Sequence, residues 1–238
     1  MEVCLDPLNL GLLSWSLAFV TAIATTALWD FTVKIIAKRI ATPSCRIVER
    51  IPLSLGDCAC LVCGQVLQVA FVSHVLATLH EAQIIATWSN VTIAPLTLIL
   101  LDDFVYYWVH RALHRWPMLY YYIHSRHHTR VQPCRGHLDA VILNPLEQII
   151  VESIFIVCLK LIAPYSHMLT LIGCFIVYAF CGVVNHTALD VRILGYSARA
   201  HELHHIHRKC NYAQRHMLYD RLFGTFMDSQ TYRASEKS

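Results

Sequence analysis

A chain of 238 residues is long enough for one sizeable domain, and 56% of it is hydrophobic while only 15% is charged. Soluble domains carry about 25% charged residues, so the composition argues against a purely aqueous protein and for a bilayer as solvent. A net charge of +3 is too small to read as a nucleic-acid footprint.

Taken in chain order, residues 1–9 hold Glu2 and Asp6 and no basic residue, so no secretory leader is expected and the start reads as retained. Leu12 to Trp29 is an apolar run of 18 residues, the length a bilayer core demands. Further spans are expected at Asp57 to Leu79 and at Ile84 to Val109, the second carrying Asp102 and Asp103. Leu146 to Ala163 and Met168 to Val184, joined by the short PYSH turn, predict a helical hairpin. Trp116-Pro117 predicts a break after the third span. The expected fold is an all-α integral membrane bundle of about four to five membrane helices with a histidine-rich cap. The expected division is N-terminal membrane helices over 1–99, the unit that carries the histidine motifs over 100–228 and a polar tail over 229–238.

Of the 19 basic residues, 18 fall in segments that this topology places on one face. The positive-inside rule makes that face cytosolic. Aromatic residues crowd the same region, with Phe104, Tyr106, Tyr107, Trp108, Trp116, Tyr120, Tyr121 and Tyr122 read as an interfacial belt.

The 15 histidines exceed what packing needs. His110 and His114 stand at i and i+4; His124, His127 and His128 stand at i, i+3 and i+4, as do His201, His204 and His205. On a helix such spacing puts imidazoles on one face. Eight of them exceed the ligand number of one ion and call for two metals. Imidazole suits iron, copper, nickel and zinc alike, so the residues alone leave the metal open. Cys58, Cys60 and Cys63 read as small buried hydrophobes, and His74, His80, His167 and His216 as ordinary structural histidines. His207 and His137 stay open as additional ligands.

The stretches DDFVYYWVHRALH, HSRHH, NHTALD, HELHHIHRKCNYAQ and YDRLFGTF together resemble the fatty acid hydroxylase and sterol desaturase superfamily of membrane-bound non-haem di-iron enzymes. The resemblance implies a metal set of His110, His114, His124, His127, His128, His201, His204 and His205, with His186 of NHTALD as a ninth ligand. Some members carry a further histidine where this chain has Gly182. It implies two iron ions, O2 as co-substrate, a lipid-like substrate, and electrons from cytochrome b5 or a similar carrier with its reductase. No haem signature of a fused cytochrome b5 domain occurs in these residues, so a separate carrier protein is expected. Endoplasmic reticulum is the implied compartment.

Ligating imidazoles usually donate their second N–H to an acceptor. Asp103 and Asp220 are the expected carboxylate partners, the latter because YDRLFGT resembles the family's WDRLFGT with Tyr219 in place of Trp. Asp102, Asp139, Glu147, Asp190 and Glu202 are further candidates. Hydroxylation of a lipid C–H bond is the expected reaction, desaturation the alternative, and a His-rich metal transporter the rival class.

Overall fold

The structure is a computed structural model that describes residues 53–129, 136–187, 189 and 191–228, with residues 16, 20, 28, 31 and 35, the side chains of 137 and 138 excepted. The span expected at Leu12 to Trp29 therefore lies outside the described residues, apart from three positions, as does Asp190.

Four long helices alternate in direction. Helix α1 runs Leu55–Thr78, α2 Ala94–Arg115, α3 Pro145–Ile162 and α4 Met168–Val184. Local signals set their starts. The Ser54 hydroxyl accepts from the Asp57 N–H at 3.1 Å and the Asp57 carboxylate accepts from the Ser54 N–H at 2.9 Å, a reciprocal cap for α1. Asn144 caps α3, its side chain accepting from the Leu146 N–H at 2.9 Å with Pro145 in the first turn. Trp116 is extended (φ −101°, ψ 116°), the conformation Pro117 forces on its predecessor, and α2 ends there. The third span starts later than its apolar run: residues 84–87 are not helical, and a π-turn at Ser89–Ile93 leads into α2.

The far end of the bundle is tied by backbone hydrogen bonds. Gln83 donates to the Ser166 carbonyl at 2.8 Å, and His167 donates to that of Asn90 at 3.0 Å. At the opposite end the Arg126 guanidinium reaches Asp57 of α1 at 3.1 Å. The hairpin of α3 and α4 thus returns the chain to the end it left, as its short connection requires.

Between the helices lies an apolar core centred on Phe71, Leu98, Phe155, Leu159 and Leu171. Their outer faces are apolar too: Val62, Val66, Leu96, Val157 and Leu169 are all more than half exposed. Apolar side chains turned outward on several helices suit lipid and are costly in water. The helical stretches Leu55–Glu81 and Ser89–Arg115 are long and apolar enough to cross a membrane. α3 and α4 are shorter, at 18 and 17 residues, and α3 carries Glu147, Glu152 and Lys160.

Beyond α4 the chain is not purely helical. Arg192–Ile193 (β1) pairs antiparallel with Tyr196–Ser197 (β2) across Leu194 and Gly195, both at positive φ. The all-α expectation missed this hairpin because Leu194, at φ 45°, is no turn signal. Helix α5, Ala198–His207, follows, its Ser197 cap accepting from the Ala200 N–H. Tyr107 departs from the interfacial belt: it is fully buried, and its hydroxyl accepts from Arg111 at 2.9 Å.

Candidate metal centre

HELHH lies on α5, where regular spacing delivers its three histidines inward. HSRHH does not lie on one regular helix: Tyr120–His124 is a π-turn and His127–Thr129 a 3-10 turn. The expectation that each motif aims at one point holds for His110 and His114 and fails for HSRHH and for HELHH, the latter on a regular helix. His110, His114, His124, His128 and His204 converge in one cluster, while His127, His186, His201 and His205 converge in another. HSRHH and HELHH are both split, with adjacent His127 and His128 serving different clusters, whereas His110 and His114 share one. In each group the ring nitrogens lie within 4.8 Å of one another. All the sequence-predicted metal histidines are therefore brought together, His186 included, and all except His114 are buried. His207 joins neither group.

The hydrogen bonds fix which nitrogen faces inward. A carbonyl can only accept, so Nδ1 carries the proton wherever it meets one. His110 donates from Nδ1 to the Tyr212 carbonyl at 2.7 Å, His204 to that of Cys210 at 2.7 Å, and His186 to that of Gly182 at 2.8 Å. His124 donates from Nδ1 to Glu147 at 2.7 Å. Each Nε2 is left with a lone pair, and these lone pairs face one another. His110 and His124 are 3.2 Å apart at Nε2, His124 and His128 3.0 Å, His201 and His205 3.1 Å.

Lone pairs of neutral imidazoles repel unless a cation lies between them. Ring nitrogens bound at right angles to one ion, with metal–nitrogen bonds of about 2.0–2.1 Å, are about 3 Å apart. The donor set and its spacing therefore fit a metal ion in each cluster. Burial, reinforced by the neighbouring rings, holds His124, His127, His201 and His204 well below the ordinary histidine range, so the lone pairs stay available at neutral pH.

Glu147 is a carboxylate that meets a cluster imidazole, and sequence reasoning favoured two others. Its place in the first turn of α3, directly after the asparagine cap, was the available signal. Asp103 instead accepts from the backbone N–H groups of Gln214 and Arg215, both at 3.0 Å, and of His216 at 3.4 Å. Asp220 accepts from the N–H groups of Tyr212 and Ala213, both at 2.8 Å, and from the Thr225 hydroxyl at 2.7 Å. The physical reason is chain reversal: the loop after α5 must expose a run of backbone N–H groups inside the fold, and two buried carboxylates meet them. Asp220 acts on the cluster at one remove, since the Tyr212–Ala213 peptide whose N–H it holds also presents its carbonyl to His110. Tyr219, in place of tryptophan, donates its hydroxyl to the Leu100 carbonyl at 2.9 Å.

Glu147→Gln keeps an acceptor oxygen but loses the charge that raises imidazole basicity. Metal affinity of the five-histidine cluster is expected to fall about 10-fold to 100-fold, measurable by chelator competition on the purified protein.

Two of the other histidines hold backbone carbonyls, and the side chain of His137 lies outside the described residues. His74 donates to the Ala70 carbonyl in its own helix, and His167 donates to that of Ile84. Cys58, Cys60 and Cys63 are free thiols at partly exposed positions.

Comparison with known proteins agrees with this geometry. The chain is 27% identical over 146 residues to methylsterol monooxygenase 1 of Gallus gallus, covering 58% of this chain and 47% of that protein. It is 31% identical over 134 residues to a probable Delta(7)-sterol 5(6)-desaturase of Neurospora crassa, covering 55% and 37%. A very-long-chain aldehyde decarbonylase of Oryza sativa subsp. indica is 30% identical over 162 residues, covering 63% and 58%. The chain spans about half the length of the methylsterol monooxygenase it matches, or less of the other first relatives. No solved structure matches. The fatty acid hydroxylase model matches residues 95–225, which include all nine clustered histidines, Glu147, Asp103 and Asp220, and the chain belongs to the fatty acid hydroxylase and sterol desaturase superfamily.

Proposed function

We propose that the chain is a membrane-bound di-iron oxygenase that hydroxylates a C–H bond of a lipid-like substrate, sterol, fatty-acyl or terpenoid. The observation that carries the reading is the convergence of nine histidines in two adjacent clusters. His110, His114, His124, His128 and His204 would hold one iron, and His127, His186, His201 and His205 the other. The chemistry supplied by the two bound ions is O2 activation and removal of hydrogen from carbon, with two electrons from cytochrome b5 or a similar carrier and its reductase.

The chain's own residues supply position and dryness. Glu147 and the carbonyls of Tyr212, Cys210 and Gly182 hold four imidazoles in one tautomer. Asp103 and Asp220 hold the loop that roofs the site. The rings of Tyr106 and Tyr212 pack against His110 at 5.2 and 5.8 Å and exclude water. The apolar outer faces of the helices suit entry of substrate from the bilayer, and the basic segments favour a cytosolic site in the endoplasmic reticulum.

Desaturation begins with the same hydrogen removal, and one relative is named a sterol desaturase. Membranes containing the protein, supplied with reductant and 18O2, separate the two. Hydroxylation predicts one 18O atom in the lipid product; a product two hydrogens lighter without label identifies a desaturase, and no oxidised lipid contradicts both.

A further inference from the structure

The end of the bundle away from the histidines is a pair of loops turned inside out. Residues 82–87 lead from α1 to the π-turn before α2, and residues 163–167 join α3 to α4. Their outward side chains are apolar or aromatic: Ile84, Ile85, Trp88 and Tyr165 are 70–80% exposed. Their polar side chains are spent on the loop backbone instead. The amide of buried Asn90 donates to the Ile85 carbonyl and accepts from the Thr87 N–H, both at 2.8 Å. Gln83 donates from its side chain to the Pro164 carbonyl at 2.9 Å. His167 donates from Nε2 to the Ile84 carbonyl at 2.9 Å, and its Nδ1 accepts from the Leu169 N–H at 3.3 Å.

A connecting loop in water has the opposite pattern, because water meets its carbonyls and its polar side chains face outward. Internal partners for loop carbonyls become necessary where water is scarce. Outward Ile, Trp and Tyr then suit the boundary between head groups and acyl chains. Charge agrees with this. Between Glu81 and Asp102, and again between Lys160 and Asp190, the chain has no Asp, Glu, Lys or Arg. Glu81 and Lys160 are exposed at the border of the tip, and a lysine stem is long enough to carry its charge to the head groups.

We propose that residues 82–93 and 163–169 form a lipid anchor, seated at the head-group boundary of the leaflet opposite the histidine clusters. Ile84, Ile85, Trp88 and Tyr165 stand among the upper acyl carbons of that leaflet, and the loops present no free face to the aqueous compartment beyond it. The anchor also sets the depth of the metal centre. The 17 residues of α4 rise about 26 Å, less than a hydrocarbon core of about 30 Å. A tip held in the far leaflet therefore keeps His186, two residues past the end of α4, no higher than the near head groups. The inference rests on the membrane-bound part of the proposed function and on none of its chemistry.

The test is mass-spectrometric footprinting of the full chain in lipid nanodiscs. A phosphatidylcholine with a diazirine in its acyl chain is the lipid probe, and hydroxyl radicals are the water probe. Ile84, Ile85 and Trp88 are expected to take the carbene. Trp88 and Tyr165 are expected to lose most of the oxidation that they show in the chain unfolded in urea. Oxidation of both at the unfolded level, with no carbene on the tip, overturns the anchor. So does protection of the tip from both probes, since another part of the protein would then cover it. The outward residues Val62 and Val157 separate the two readings: carbene on these and none on the tip overturns the anchor alone, whereas carbene on neither overturns the membrane-bound reading and the anchor with it.

Discussion

His204→Ala is expected to abolish lipid oxidation and to empty the five-histidine cluster, and His127→Ala is expected to do the same to the other. His204 is wholly buried, its Nε2 3.1 Å from that of His114, and its tautomer is fixed by the Cys210 carbonyl. Alanine removes one of five donors and leaves a cavity that no neighbouring side chain can fill with a ligand atom. Among the described residues His127 is one of four donors in its cluster, so its loss is the more severe. Because His127 and His128 are adjacent in sequence yet serve different clusters, His127→Ala should lower one metal and spare the other in part. Metal per chain by mass spectrometry, read beside turnover, checks this. His74→Ala, which cuts a single bond within one helix on an exposed face, should change neither.

Asp103→Leu is expected to destabilise the fold by about 3–5 kcal/mol. The carboxylate is fully buried and accepts from three successive backbone N–H groups across a separation of more than 110 residues. Leucine has nearly the same bulk but leaves those donors dry inside the bundle. Asp103→Asn keeps one acceptor oxygen for Gln214 and Arg215, both of which bond to Oδ1, and should lose far less. Thermal unfolding in detergent, followed for both variants beside the unmodified protein, measures the difference. Equal losses for Leu and Asn would show that the backbone bonds do not carry the effect.

Much of the site could be read from residues because metal ligands are named by side-chain type and spacing. HELHH keeps regular helical spacing on α5, yet it too is divided, His204 joining one cluster and His201 with His205 the other. HSRHH loses that spacing, because a π-turn and a 3-10 turn replace the helix, and nothing in Tyr120 to His128 signals either. The sorting of His127 from His128 was hidden for that reason. Carboxylate partners were harder still. Asp103 was recognised as a costly buried charge, yet its partners are backbone groups brought there by a loop reversal that has no side-chain signature. Glu147 owes its position to the Asn144 cap and the entry angle of α3, a tertiary fact. The four helices were legible because apolar runs and the Trp116-Pro117 break act locally, whereas the hairpin of β1 and β2 turns on a leucine at positive φ.

The central claim is that the nine histidines form two metal sites. Iron content of the purified protein, grown with iron in excess and measured beside zinc, tests it most directly. Two irons per chain are predicted, one for each cluster, with one lost on His127→Ala. Protein that is folded by its unfolding transition, yet carries no metal and takes up none when iron is added under reducing conditions, would contradict it.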